Sequence, residues 1–206
     1  MTKSVAVLDY GSGNLRSAER ALRRVGADVS VTSDSRVAIE ADGLVIPGVG
    51  AFAACMQGLL AVGGSAIVSE RLGQGRPLLA ICVGMQVLFE VGVEHGHRAD
   101  GLGVLPGRVE KLAAPVLPHM GWNTVRPAAG SALFAGLGAD ERFYFVHSYG
   151  VHATAALSGV ALVTTSVHGT EFVAAVESGV VCATQFHPEK SGDVGAALLE
   201  NWLGTL

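Results

Sequence analysis

Hydrophobic positions in the first eighty residues follow two alternating periods. Ser4 to Leu8 is a short apolar, β-branched run with the pattern of a buried strand, and after it Leu15, Ala18, Leu22 and Val25 recur at helical spacing with Arg16, Arg20, Arg23 and Arg24 interleaved. Between them Asp9-Tyr10-Gly11-Ser12-Gly13 reads as a tight turn, and Gly26 stands where a helix C-cap belongs. A second strand is predicted at Asp28 to Val31, and a third at Gly43 to Ile46 ending in Pro47-Gly48-Val49-Gly50. A fourth, Leu78 to Ile81, ends at Cys82, with helices between and after these runs. Strands alternating with helices predict an α/β fold with a doubly wound, mostly parallel sheet.

Past Gly101 the pattern changes to short strands with turn residues: Val104 to Leu112, Phe143 to Tyr149, Phe172 to Glu177 and Val180 to Phe186. A hairpin is expected at Ser178-Gly179, additional short antiparallel strands accompany the main sheet, and a last helix runs from about Asp193 to Leu203. No internal repeat and no linker rich in Pro, Gly and Ser divides the chain, so one domain over residues 1–206 is expected.

Composition narrows the function classes. Half the residues are hydrophobic and 16% are charged, which excludes disorder and a coiled coil; the mean hydropathy of +0.43 suggests a partly covered surface. With 14 Lys and Arg against 18 Asp and Glu, and no basic cluster, nucleic acid is not an expected partner. Cys55, Cys82 and Cys182 form no C-x-x-C pair, so neither a disulfide framework nor a zinc site is expected, and a reducing cytoplasm fits best. The uncharged stretch from Gly43 to Ser69 is long enough for a membrane span. It nevertheless contains Pro47, Gln57 and the glycines at 48, 50, 58, 63 and 64, and reads as strand, loop and helix. No signal peptide is expected, because Asp9 cuts the first apolar run.

The candidate chemistry centres on Cys82, placed where a buried strand turns sharply into a helix in Leu79-Ala80-Ile81-Cys82-Val83-Gly84-Met85-Gln86. That is a nucleophile-elbow position, and the start of the following helix favours a thiolate. Taken alone, Cys82 fits a small buried hydrophobe equally well, and Cys55 and Cys182 fit that description better. A thiolate that attacks an amide needs a proton donor and acceptor. His187-Pro188-Glu189 supplies an imidazole and a carboxylate two positions apart, on one side of an extended segment. The main-chain N–H of Val83 adjoins the nucleophile as an oxyanion donor, and the Pro47 to Gly50 loop offers a second. Its flanking glycines make a peptide flip at Val49 inexpensive. Gly11-Ser12-Gly13 lacks the third glycine of a dinucleotide fingerprint, Arg16 standing there, so no cofactor is expected. His95 and His97 read as a solvated loop, no metal site is expected, and His119, His152 and His168 have no motif around them.

In this order the Pro47-Gly48-Val49-Gly50 loop, the Cys82 elbow and His187-Pro188-Glu189 resemble the class I (triad) glutamine amidotransferases, over essentially the whole chain. Four segments, at 9–14, 118–123, 145–149 and 186–191, are similar to the branch of that family that serves histidine biosynthesis. The resemblance implies a flavodoxin-like fold in which Cys82 attacks the side-chain amide of glutamine, His187 protonates the departing ammonia and Glu189 orients His187. It implies glutamine bound against Gly50, Gln86 and the backbone of His147, Ser148 and Tyr149, with the oxyanion held by N–H groups of Val83 and the loop bearing Val49. It also implies a partner, a (β/α)8-barrel cyclase that consumes the ammonia, faced by Asn14, Trp122, Tyr144 and Lys190. A glutaminase for another pathway, such as pyridoxal phosphate or anthranilate synthesis, would share the triad, but segments 118–123 and 145–149 argue against it. The intact His187-Pro188-Glu189 argues against a non-catalytic relative.

Overall fold

Ser4–Leu8 (β1) enters α1 (Leu15–Arg24), whose cap Asn14 accepts a hydrogen bond from the Ser17 N–H and whose buried face is Ala18 and Leu22. There follow β2 (Asp28–Thr32), α2 (Ser35–Glu40), β3 (Gly43–Gly48), α3 (Phe52–Ala61), α4 (Gly64–Gly73), β4 (Leu78–Cys82) and α5 (Val83–Gln86). The second half contains β5 (Phe89–Glu94), β6 (His97–Asp100), β7 (Leu105–Lys111), β8 (His119–Thr124), β9 (Arg142–His147), β10 (Tyr149–Val151), β11 (Leu162–His168), β12 (Thr170–Ser178), β13 (Val181–Thr184) and α6 (Gly192–Leu203). This computed structural model describes residues 2–152 and 155–206.

The main sheet has the order β11-β12-β13-β4-β3-β1-β2. Its β2, β1, β3, β4 and β13 run parallel, and the β12–β13 hairpin turning at Ser178-Gly179 adds the antiparallel edge. Strands β3 and β4 are buried at every residue, as the covered centre of a parallel sheet requires, which is why they read as unbroken apolar runs. Their carboxyl ends, Gly48 and Cys82, lie side by side in register. A smaller sheet, β10-β7-β5-β6, and the ribbon β8-β9 pack beside this end.

Several expectations change. The helix after Cys82 is a single turn, and the chain then forms the β5–β6 hairpin where a solvated loop around His95 and His97 was expected. The polar, exposed tip of that hairpin hides it from an apolar-pattern reading. The run from Phe143 to Tyr149 divides at Ser148 into β9 and β10, which join different sheets. Strand β8 was not foreseen, because His-Met-Gly-Trp-Asn-Thr has little β-branched character and gains its structure from pairing with β9. The stretch from Gly43 to Ser69 contains a second helix, bent 78° from the first at Gly63, whose φ is +71°. Among the described residues no single helix is long and apolar enough to cross a membrane, although this bent pair passes by length and composition.

One buried side chain fastens several of these elements. The guanidinium of Arg71 on α4 donates to the carbonyls of Ala38, Ile39, Ala41, Asp42 and Pro77 at 2.5 to 3.2 Å. Burial lowers its pKa to about 10, and it stays charged at neutral pH, paired with carbonyl dipoles rather than a carboxylate.

Candidate active site

Strand β4 delivers Cys82 to the carboxyl end of the sheet in a conformation that residues with a Cβ rarely adopt, φ 58° and ψ −115°. Such backbone costs about 1–3 kcal/mol and persists only where the surroundings enforce it. Here they do. A Cβ on Gly84 would lie 2.0 Å from the carbonyl oxygen of Ile46, and one on Gly48 would lie 2.3 Å from the Gly84 nitrogen. Two glycines therefore let the elbow press against the end of β3. Because α5 is only one turn long, the expected contribution of a helix dipole reduces to the local N–H groups that start it.

His187 leaves β13 and is followed by a 3₁₀ turn, Pro188–Lys190. This turn, rather than the extended segment expected from the sequence, brings the Glu189 carboxylate back to the imidazole. Glu189 Oε1 lies 2.6 Å from His187 Nδ1, with both side chains at most 4% exposed. The main chain of His187 is fixed as well: its N–H donates to the Tyr144 carbonyl, and its carbonyl accepts from the Ser191 hydroxyl. Nε2 is buried without a hydrogen-bond partner and lines the same cavity as Cys82. Burial alone would lower the imidazole pKa. The neighbouring Cys82 sulfur and the Glu189 carboxylate outweigh burial and raise it to about 9.

The cavity, about 190 Å³, brings together Val49, Gly50, Val83, Gln86, His147, Ser148 and Tyr149 around Cys82 and His187, all of them residues singled out in the sequence. Lys190 also lines it, and so do Val146 and Glu94, which the sequence reading missed. Glu94 lies on unforeseen β5; one carboxylate oxygen accepts the Phe52 N–H at the start of α3. Gln185 was missed too. It is fully buried beside Cys82, its Nε2 3.7 Å from Cys82 Sγ and its Oε1 accepting from Gln86 Nε2 at 2.9 Å. The only sequence signal for it is a polar residue between Thr184 and Phe186 in an otherwise apolar strand exit.

At the loop after β3 the Val49 peptide is held from the side opposite the expected role. Its N–H donates to Ser12 Oγ at 3.2 Å, and its carbonyl accepts from Ser12 Oγ at 2.9 Å and Cys55 Sγ at 3.2 Å. The Val49 N–H is thus already engaged, and Cys55 is more than a buried hydrophobe. Its thiol pKa is raised by burial, so it remains a donor. Cys182, with its pKa pushed up to about 12 by burial, is inert packing.

Trp122 and Tyr144 meet edge to face at 5.9 Å on the outer face of the β8-β9 ribbon, and Lys190 Nζ stands 6.0 Å from the Tyr144 ring centre. Asn14 caps α1 next to Gly13, where a Cβ would lie 2.9 Å from the Pro47 ring at the same end of the sheet.

A family model described as glutamine amidotransferase class-I matches residues 6–205. In sequence the chain is similar to the imidazole glycerol phosphate synthase subunit HisH of Thermobifida fusca, 61% identical over 211 residues and all of both chains. It is also similar to that of Corynebacterium diphtheriae, 62% identical over 209 residues, 99% of this chain and 100% of the relative. In fold it is similar to a solved glutamine amidotransferase with a TM-score of 0.76 and 22% identity, covering 98% of this chain and 99% of the other.

With a value near 9, His187 carries its proton at neutral pH. The folded value lies above the ordinary 6.5, so the stabilisation from its partners is complete below about pH 6.5 and is lost as pH rises through about 9. An NMR titration of the His187 ring is expected to place its midpoint near 9, and Glu189→Gln is expected to move it down. Midpoints near 6.5 in both proteins would reject the ion pair.

Proposed function

The chain belongs to the class-I glutamine amidotransferases, within the branch of HisH subunits of imidazole glycerol phosphate synthase, and hydrolyses glutamine to glutamate and ammonia; we propose the residues that do so and the partner they serve. The observation that carries the assignment is the His187–Glu189 pair facing the strained Cys82 elbow across one small cavity.

The Cys82 thiolate attacks the side-chain amide carbon of glutamine, and the Val83 N–H steadies the oxyanion that forms. The His187 imidazolium gives its proton to the amide nitrogen, the C–N bond breaks and ammonia leaves a thioester. Neutral His187 then takes a proton from water, the hydroxide attacks the thioester, and Cys82 departs as thiolate with glutamate released. Glu189 holds the imidazole by its 2.6 Å contact throughout. Glu94 offers a negative charge to the α-ammonium of the substrate. These residues and one water molecule account for every proton and electron pair of the sequence.

The ammonia goes to a (β/α)8-barrel cyclase that makes imidazole glycerol phosphate and aminoimidazole carboxamide ribotide in histidine biosynthesis. The surface formed by Trp122, Tyr144 and Lys190, with Asn14 nearby, is the docking face for that subunit. The exposed Met120 and Trp122 side chains, 67% and 53% accessible, support this reading. Residues 1–206 act as one domain, supported by the entry of strands from both halves of the chain into one sheet. A cytoplasmic location is supported by the three free cysteines.

Cys82→Ser is expected to abolish glutamine-dependent synthesis by the two-subunit enzyme and to leave ammonia-dependent synthesis intact; retained glutamate release would overturn the assignment of the nucleophile. Lys190→Ala is expected to weaken either the affinity for the cyclase or the coupling of glutamate release to synthesis, and unchanged values of both would remove Lys190 from the interface. The engaged Val49 N–H supports a resting site that lacks one oxyanion donor, which costs about 10² to 10³ in rate. Glutamate release is therefore expected to be slow for the subunit alone and fast with partner plus nucleotide substrate. Equal rates in both conditions would reject this gating.

A further inference from the structure

The segment Pro118 to Asn123 takes no part in the chemistry just described, yet its inner side chains lead to the reaction centre. On ribbon β8-β9, His119 pairs in register with His147, and their side chains meet on the buried face with His119 Nδ1 3.0 Å from His147 Nε2. Beyond them Asn123 Nδ2 lies 3.2 Å from His119 Nε2. At the other end His147 Nδ1 lies 2.9 Å from the Tyr149 carbonyl oxygen.

Both ends of this chain have a fixed polarity. Asn123 Oδ1 accepts the Thr124 N–H and its Nδ2 donates to the Val167 carbonyl, so Nδ2 is also the donor to His119. The Tyr149 carbonyl only accepts, so His147 carries its proton on Nδ1. His119 must then accept at Nε2 and donate from Nδ1, and a single direction of donation runs from Asn123 through both neutral rings to the Tyr149 oxygen. Three more contacts lead from that oxygen to Cys82: Gln86 Nε2 donates to it at 2.9 Å and also to Gln185 Oε1, and Gln185 Nε2 faces Cys82 Sγ at 3.7 Å. Burial, with the neighbouring histidines, lowers His119 to about 4 and His147 to about 3, in keeping with neutral rings.

We propose that Asn123 and His119 are positioning residues for glutamine hydrolysis: through this directed chain they set the orientation of the Tyr149 carbonyl, and with it the His147–Tyr149 wall against which glutamine binds. The proposal rests on the glutaminase reading above, and it makes demands on His119 that packing alone does not. The ring stacks on Phe145 at 4.7 Å and on His168 at 4.2 Å, so Phe at this position keeps an aromatic ring there but breaks the chain. Gln keeps one acceptor and one donor, and so keeps the chain. Asp at position 123 reverses its polarity. It forces the proton of His119 onto Nε2, turns two lone pairs toward each other between the histidines, and requires one ring to become a cation. Other titratable groups facing the pair are His168 on β11 and, across the cavity, His187, Cys82, Glu94, Tyr149 and Lys190.

In the complex with cyclase and nucleotide, His119→Phe is expected to raise the KM for glutamine about 10-fold with kcat changed less than about 2-fold, the signature of lost ground-state binding. His119→Gln is expected to restore most of the difference. An unchanged KM in His119→Phe, or equal losses in both variants, would overturn the proposal. Absence of glutamate release by the unmodified complex would instead overturn the glutaminase reading. A readout independent of activity and of these substitutions is the ¹⁵N NMR spectrum of the histidine rings in the chain alone. Nδ1–H tautomers are expected for His119 and His147, with a ring titration entering the range from about pH 5 to 8 in Asn123→Asp. Other tautomers, or no new titration, would overturn the relay.

Discussion

The close approach between the ends of β3 and β4 is the constraint on which the site depends. Gly48 at the end of β3 and Gly84 in α5 leave no room for a side chain between β3 and the elbow, where Cys82 is held at positive φ. The strain, about 1–3 kcal/mol, is offset by two central strands buried at every residue, which hold both ends in place. From this one contact follow the projection of the thiol, the position of the Val83 N–H beside it, and the adjacency of the Val49 loop. The elements that complete the cavity, β5, β9, β10 and the turn after β13, come from the second half of the chain and are built around that fixed point.

Burial pushes the pKa of His119, His147 and His187 down alike, and only His187 has partners that outweigh it. His187 has a carboxylate at 2.6 Å and a sulfur in front of it, and is charged. His147 has only a carbonyl on one nitrogen and another imidazole on the other, so burial prevails and the ring is neutral. A cationic ring and neutral rings therefore coexist in one region: one fit to move a proton, the others fit to hold a shape.

The parallel core was legible because its physics is periodic. Fully buried strands read as apolar runs, the α1 stripe reads at helical spacing, and glycines mark the turns where φ is positive. The residues that meet at the cavity were legible where a reactive side chain sits at a strand exit, as with Cys82 and His187. What was missed depends on pairing rather than on local pattern. Glu94 lies on a strand whose polar tip hides it, Gln185 is one polar residue among apolar ones, and His119 acquires its role only when β8 lies against β9. The Ser12 and Cys55 contacts with Val49 join three loops and helix ends that no sequence spacing relates.

Arg71 gives the fold a different kind of unity. Its guanidinium binds carbonyls from the end of α2 to the entry of β3 and one just before β4, so two separate stretches of main chain share one donor on α4. The Pro77 carbonyl also accepts from the Leu44 N–H and the Ala41 carbonyl from Arg76, so Arg71 adds to bonds that already join these stretches, and the carbonyls in turn give its buried cation its partners. The two strands that carry the Val49 loop and Cys82 are thereby coupled to α4 as well as to each other. The half of the sheet that bears the strained elbow is thus tied, through one buried cation, to a helix that does not touch the cavity.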